Sequence, residues 1–297
     1  MTGEFALIQQ YFYPFSEKLG DDCAALEVPP GMRLVTSIDS LVENTHFPPE
    51  APPRELGYRA VVTALSDLAA AGAQPLAFTL ALTMPDGDAA WLEPFTGGLR
   101  EALDTFNVEL IGGDTTQGPL TITAAVFGAV PEQQMLQRRG ARVGDQIHVS
   151  GPMGDAAAAL CVMQGRWPGA RKHRQYLLDR FYRPTPRLEL GRKLLGLASA
   201  AIDISDGLLA DAGRVGQASG VRLIIDENRV PLSPALRSVT DRDLVRTWAL
   251  SGGDDYELLF TVAAADAHRV PGQCTCIGEV VAGEEQVTGG GYSHFPP

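Results

Sequence analysis

Residues 54–71 carry apolar side chains at helical spacing, follow Pro52-Pro53 and stop near Gly72, so the pattern predicts a helix with a defined start and end. Residues 88–106 read the same way, with Asp88 placed to cap the first turn. Around these helices lie shorter runs rich in β-formers or in apolar alternation, at residues 34–39, 77–84, 108–111 and 120–130. Runs of that length and composition predict strands. The first half of the chain is therefore a mixture of helix and strand.

Residues 131–144 break the pattern. They are polar, contain Arg138, Arg139 and Arg142, and show no period, as expected of a connection between domains. The division this predicts is residues 1–135 and 136–297. The second part opens with a strand at 146–150 and the glycine turn Gly151-Pro152-Met153-Gly154, which leads into an Ala-rich helix from Asp155. That turn could cradle an anion at a helix N-terminus, although a plain strand-to-helix turn is the simpler reading. A strand ending at Asp203, a helix from Leu208, and strands at 221–226 and 256–262 follow. The fold class is α/β, in two domains, with no internal repeat.

Composition narrows the function. The chain has 297 residues, 45% hydrophobic and 20% charged, which is ordinary for a globular protein with real cores. Its 24 basic and 36 acidic residues give a net charge of −12, so long-range repulsion argues against nucleic acid or an anionic membrane as partner. Any phosphate ligand then needs cations beside it. No apolar run is long enough to span a membrane, and Met1-Thr2-Gly3-Glu4-Phe5 lacks the basic start of a signal peptide, so a cytoplasmic location is expected. Four cysteines in a chain this long make no disulfide framework; Cys23 and Cys161 lie in apolar stretches, and Cys274 and Cys276 share one strand-like run. All four read as structural thiols.

The candidate chemistry lies where aspartates adjoin glycines or end strands. Five places qualify: Gly20-Asp21-Asp22, Ser37-Ile38-Asp39, Gly112-Gly113-Asp114-Thr115-Thr116, Asp203-Ile204-Ser205-Asp206-Gly207 and Gly252-Gly253-Asp254-Asp255. A sixth acid, Asp67, interrupts the apolar helical run from Val61 to Ala70. Taken singly, each Gly-Asp pair reads as a turn or a cap. As a set they suit Mg²⁺, which takes oxygen ligands and is shared among a few carboxylates, waters and substrate phosphates. Other phosphate signatures are missing: the three lysines, Lys18, Lys172 and Lys193, lie in no P-loop, and the glycine of the Asp203 motif comes one place early for a calcium loop.

These motifs carry a resemblance. Gly3-Glu4-Phe5, Gly20-Asp21-Asp22-Cys23-Ala24, Asn44-Thr45-His46-Phe47, Leu65-Ser66-Asp67-Leu68-Ala69-Ala70, Ile111-Gly112-Gly113-Asp114-Thr115-Thr116, Ile202-Asp203-Ile204-Ser205-Asp206-Gly207, Ser251-Gly252-Gly253-Asp254-Asp255-Tyr256-Glu257-Leu258 and Gly291-Tyr292-Ser293-His294-Phe295 resemble thiamine-monophosphate kinases in order and spacing across nearly the whole chain. The resemblance implies a two-domain fold like that of aminoimidazole ribonucleotide synthetase. In that fold an N-terminal ATP- and Mg-binding domain forms a homodimer through its sheet, and a C-terminal domain completes the substrate site. It implies transfer of the γ-phosphoryl group of ATP to thiamine monophosphate, with several Mg²⁺ ions and room for a monovalent cation. No general base is expected, because a phosphate monoester has its second pKa near about 6 and arrives ionised.

Carried over by position, Asp22, Ser37, Asp39, Asp67, Asp114, Asp203 and Asp206 match metal-binding places. Gly113, Asp114, Arg138 and Ser205 match ATP contacts, and His46, Asp254 and Tyr292 match the substrate side. Without the resemblance, Arg138 reads equally as a solvated linker arginine, Ser205 as a helix cap ahead of Leu208, His46 as a loop histidine and Tyr292 as a surface tail residue. Two departures stand out. Ile38 occupies a place where a hydroxyl residue is common, so a metal contact there would have to use its main-chain oxygen; Asp254 replaces the usual glutamate and shortens the reach by one methylene. Two other readings stay open: another ATP-using enzyme of the superfamily, such as a selenophosphate synthetase or hydrogenase-maturation factor, or a non-catalytic protein that binds divalent cations.

Overall fold

The computed structural model describes residues 3–283. It contains two compact units, Met1–Leu68 with Ala73–Gln133, and Ala69–Gly72 with Gln134–Pro297.

In the first unit the elements run α1 (Glu4–Tyr11), β1 (Met32–Val42), α2 (Pro53–Ala70), β2 (Gln74–Met84), α3 (Ala89–Phe106), β3 (Glu109–Gln117) and β4 (Thr121–Pro131). The strands form one sheet in the order β1-β4-β2-β3. Only β2 and β3 are parallel, and parallel neighbours need a long crossover, which α3 supplies. Asp88 caps α3 as expected, its carboxylate accepting from the Ala90 N–H at 3.0 Å.

Alternation along the strands gives the sheet two different faces. One buries Phe78, Leu80 and Leu82 of β2 with Ile122, Ala124 and Val126 of β4. Helix α2 covers this face so closely that a Cβ on Gly128 would lie 3.1 Å from the Leu68 methyls. Helices α2 and α3 touch backbone to backbone: a Cβ on Gly57 would sit 2.1 Å from the Phe95 carbonyl oxygen, and one on Gly98 1.8 Å from that of Arg54. The opposite face leaves Leu34 and Ile38 45% and 65% exposed.

Strand β3 is longer than its composition suggests. It runs through Gly112-Gly113-Asp114 to Gln117, where glycine's low strand propensity hides it. The glycine is there for proximity, since a Cβ on Gly113 would fall 2.0 Å from the Leu80 carbonyl oxygen of β2.

The second unit contains β5 (Asp145–Val149), α4 (Asp155–Met163), α5 (Arg174–Tyr182), α6 (Leu188–Lys193), β6 (Ala198–Asp203), α7 (Leu208–Ser219), β7 (Arg222–Ile225), α8 (Pro234–Arg237), α9 (Arg242–Ser251), β8 (Leu258–Ala263) and β9 (Thr275–Val281). Its sheet has the order β6-β8-β5-β9-β7, antiparallel throughout. The core joins Ile147, Val149, Ile202, Leu259 and Ile277 to Leu208, Ala212 and Val215 of α7. Among the described residues no helix is long and apolar enough to cross a membrane. All four cysteines are free thiols, and Cys23 is exposed rather than part of the core, because it lies outside every helix and strand.

Candidate active site

In the first unit, strand β1 and helix α2 bring Ser37 and Asp67 together. The Ser37 hydroxyl donates to Asp67 Oδ2 at 2.5 Å, which partners the acid that interrupts the apolar helix. Asp39 lies two residues along β1, so its side chain leaves the strand on the same face as Ser37. Two carboxylates and a hydroxyl are hard oxygen donors, and Mg²⁺ commonly takes one or two protein carboxylates and leaves its other positions to water and phosphate. That donor set fits the ion. Ile38 points the opposite way, toward the exposed face, and takes no side-chain part in this arrangement.

Asp114 is elsewhere. Register pairs Asp39 with Ala124 and Ala124 with Leu80, on the buried face, whereas Asp114 lies opposite Ala81, which pairs with Thr123 and so with Ser40 on the other face. The two aspartates thus occupy opposite edge strands and opposite faces, three strand spacings or roughly 14 Å apart. Asp114 accepts from the Thr116 hydroxyl at 3.1 Å. Asp22 is in an exposed turn, its N–H donating to Asp21 Oδ1 at 3.0 Å. Among the described residues, no three His, Cys, Asp or Glu side chains are grouped to hold a metal. Beside the end of β3 a cavity of about 620 Å³ is lined by Leu7, Tyr11, Met84, Asp86, Thr115 and Thr116 among others, with no basic side chain in its lining.

His46 is set by its own turn. Its Nδ1 accepts from the Val42 N–H at 2.9 Å, so the ring proton of the neutral form belongs on Nε2.

In the second unit Asp203 is buried at the end of β6, and the segment after it is organised by residues the motif reading passed over. Asp211 Oδ2 accepts from the N–H groups of Ser205 and Asp206, both at 3.1 Å. Ser205 is therefore not the cap of α7: the N-cap is Gly207, and Asp211 reaches back from inside the helix to the two N–H groups that precede the cap. Arg214 bridges Asp206 and Asp211. Burial pushes the Asp211 carboxyl above its ordinary range, and Arg214 opposes that shift. Arg138 is exposed in a loop anchored to the end of α7, where Ser219 Oγ donates to the Arg138 carbonyl at 3.3 Å and accepts from Gly140 N–H at 3.1 Å.

The Asp254 loop packs directly on this segment. Asp254 N–H donates to the Ser205 carbonyl, and Tyr256 N–H to that of Ile204, each at 2.8 Å. A Cβ on Gly253 would sit 2.4 Å from the Ser205 carbonyl oxygen, so the approach requires glycine. Tyr292 lies outside the described residues.

Beneath the loop is a buried network of acids and arginines. Arg187 forks Glu257 through Nε at 2.6 Å and Nη2 at 2.5 Å, and Arg180 reaches Glu257 Oε1 at 3.1 Å. Ser150 Oγ donates to the same carboxylate. Asp155 accepts from Tyr176 at 2.6 Å and Ser233 at 2.5 Å. The turn at 151–154 packs against the protein's own acids: Gly154 N–H donates to Asp255 Oδ2 at 2.8 Å, and a Cβ on Gly151 would lie 2.5 Å from Glu257 Oε1.

Comparison with known proteins decides what this layout belongs to. Residues 20–130 match the AIR synthase related protein, N-terminal domain, and residues 142–290 match the AIR synthase related protein, C-terminal domain. The thiamine-monophosphate kinase of Salmonella typhimurium is 43% identical over 295 residues, covering 94% of this chain and 91% of the relative. The chain belongs to the thiamine-monophosphate kinase family. The Escherichia coli K12 thiamine-monophosphate kinase is 44% identical over 297 residues, with the same coverage of both. Among solved structures, the thiamine-monophosphate kinase of Stenotrophomonas maltophilia K279a matches with a TM-score of 0.86 at 39% identity over 95% of each chain. The structure of AaThiL complexed with AMPPCP and TMP matches with a TM-score of 0.83 at 31% identity, over 99% of this chain and 97% of that one. Hydrogenase maturation protein HypE in complex with ATP, at 20% identity and a TM-score of 0.76, shares the fold alone.

For this thiamine-monophosphate kinase family member, the residues that sequence reasoning missed are the supports behind the motifs. Asp211 and Arg214 hold the Asp206 turn, while Asp155, Arg180, Arg187, Asp255 and Glu257 underlie the Asp254 loop. Asp255 and Glu257 stand inside a quoted motif, Arg187 ends the run Arg183-Pro184-Thr185-Pro186-Arg187 and Arg180 precedes it, so a signal was present without a partner to give it meaning.

Proposed function

We propose that this protein transfers the γ-phosphoryl group of ATP to thiamine monophosphate. A terminal phosphate oxygen of the acceptor attacks the γ-phosphorus, the bond to the bridging β–γ oxygen breaks, and thiamine diphosphate and ADP leave. The observation that carries this reading is 43% identity to a thiamine-monophosphate kinase over 94% of the chain.

Two anions must meet, so positioning and charge neutralisation do the catalysis. Mg²⁺, when bound, supplies that neutralisation. Ser37, Asp39 and Asp67 would hold one ion, and the Ser37–Asp67 contact with Asp39 on the same face of β1 supports this. Asp22, Asp114, Asp203 and Asp206 are assigned to further ions, with Arg214 competing for Asp206 until a cation arrives. Gly113, Asp114, Arg138 and Ser205 contact ATP; the guanidinium of Arg138 suits a forked phosphate contact. The cavity beside Thr115 and Thr116 gives the nucleoside room without a competing charge from lysine or arginine. His46 presents Nε2–H to the acceptor, Asp254 places a carboxylate near the cationic thiazolium, and Tyr292 offers it an aromatic face. The location is the cytoplasm, where ATP is available.

The reading includes a homodimer formed through the exposed face of the N-terminal sheet. Leu34 and Ile38 support it, since two large apolar side chains on one open sheet face invite a partner. Ile38→Asp is expected to shift the sedimentation mass at micromolar concentration from two chains to one. An unchanged mass would put the interface elsewhere.

The activity itself is tested by measuring ADP release with thiamine monophosphate and with thiamine as acceptors. Turnover with the monophosphate alone is expected. Turnover with thiamine alone would overturn the acceptor assignment, and metal binding without ADP formation would leave only a cation-binding protein.

A further inference from the structure

The loop that carries Asp254 has a backbone that side chains rarely adopt. Asp254 and Tyr256 have φ of 66° and 50°, left-handed values on either side of Asp255. Such a pair persists only where its surroundings over-determine it. On the outside, the N–H groups of Asp254 and Tyr256 are tied to Ser205 and Ile204, and the Tyr256 hydroxyl donates to Asp254 Oδ1 at 3.1 Å.

On the inside the only side chain between the two strained residues is that of Asp255, 1% exposed. Its Oδ2 accepts from Gly154 N–H at 2.8 Å, while its Oδ1 has no hydrogen-bond partner among the described residues. Its main-chain carbonyl accepts from Arg180 Nη2 at 3.4 Å, and Arg180 is itself fixed by Glu257 and Asp155. Gly154 is irreplaceable as the donor: its φ is +85°, and a Cβ there would lie 2.7 Å from Ala249 N.

Burial pushes the Asp255 carboxyl well above its ordinary range, only partly offset by Gly154 and Arg180. An acid kept in such a place, with one oxygen unanswered, weakens the fold compared with an apolar residue of the same shape. Folds keep costs of this kind beside functional sites, where local geometry matters more than stability.

We infer that Asp255 is a positioning residue for substrate recognition: by accepting the Gly154 N–H it holds Asp254 and Tyr256 in their left-handed conformations and so sets the direction of the Asp254 carboxylate. The inference rests on the reading of Asp254 as a contact to thiamine monophosphate. Asp255 touches no substrate and acts only through its neighbour.

The test compares Asp255→Ala, Asp255→Leu, Asp255→Asn, Asp254→Asn and the double variant Asp254→Asn with Asp255→Ala. Each is measured for KM toward thiamine monophosphate and toward ATP, and for melting temperature. Loss of the acceptor in the Ala variant is expected to raise KM for thiamine monophosphate about tenfold, and to move KM for ATP by less than about twofold. The Leu variant fills the same space without an acceptor and should show the same split, which covers the case of an Ala variant that does not fold. The Asn variant keeps an acceptor for Gly154 and should stay within about threefold of the parent. In the double variant Asp255→Ala should add nothing to Asp254→Asn, as for two residues acting in series.

A lowered melting temperature with both KM values unchanged would reduce Asp255 to a structural role and overturn the inference, as would an equal rise in both KM values. If Asp254→Asn alone leaves KM for thiamine monophosphate unchanged, Asp254 is no substrate contact and both the reading and the inference fall. If Asp254→Asn is effective but Asp255→Ala adds to it, the reading stands and the inference alone is lost.

Discussion

Asp39→Asn should leave a folded protein that transfers phosphate at least about a hundredfold more slowly at limiting Mg²⁺. The amide has the shape of the carboxylate but not its charge, and Mg²⁺ binding depends on the charge. The fold should not notice. Asp39 is half-buried on an edge strand, and its backbone pairing with Ala124 does not involve the side chain. Two measurements check this. Calorimetric titration of Mg²⁺ in the presence of ATP should show weakened binding, and circular dichroism should show an unchanged melt. Raising Mg²⁺ should restore part of the rate. Undiminished transfer at limiting Mg²⁺ would remove Asp39 from the mechanism, leaving Ser37 and Asp67 as a purely structural hydrogen bond between β1 and α2.

The second large effect is on stability. Glu257→Ala is expected to destabilise the second unit by about 3–5 kcal/mol, because it takes from Arg187 its forked carboxylate partner and from Arg180 one of its two acid partners in a largely buried place. Glu257 is 0% exposed and is contacted by Arg180, Arg187 and Ser150. At about 2–4 °C per kcal/mol for a unit of this size, the melting temperature should fall by roughly 10 °C. A matched control separates burial from hydrogen-bond count. Glu227 and Arg246 make an equally forked pair on the surface, and Glu227→Ala should leave the melting temperature where it was. Equal losses in the two variants would mean that the buried network contributes no more than a surface ion pair.

The parts of the molecule that could be read from the sequence are those written locally. Helix α3 was legible because its cap, its spacing and its length all lie within about twenty consecutive residues. The aspartates were legible because Mg²⁺ chemistry restricts the ligand type, and glycine neighbours mark where the backbone comes close. What lay hidden depends on residues far apart. That Asp39 and Asp114 leave opposite faces follows from register across four strands, and register cannot be read from either strand alone. The extension of β3 through Gly113 required Leu80, a residue more than thirty positions earlier. Asp255 and Gly154 are 101 positions apart, and Ser150 and Glu257 are separated by 107. Cys23 shows the opposite failure: its apolar neighbours suggested burial, but no element carries them into a core.

The sheet order of the second unit bears on how the protein is made. Among the described strands of this unit, β5 is central in the sheet and the first to leave the ribosome, yet both of its neighbours, β8 and β9, are the last to be synthesised. For most of translation its two hydrogen-bonding edges have no native partner, a state in which strands seek pairing with other chains. The buried acids have the same history, since Asp155 emerges long before Asp255 and Glu257. Completion of this unit therefore waits for β8 and β9 to emerge, and a nascent chain stalled before β8 presents an open template for aggregation. The first unit, whose strands all lie within residues 32–131, can close its sheet while the second is still being written.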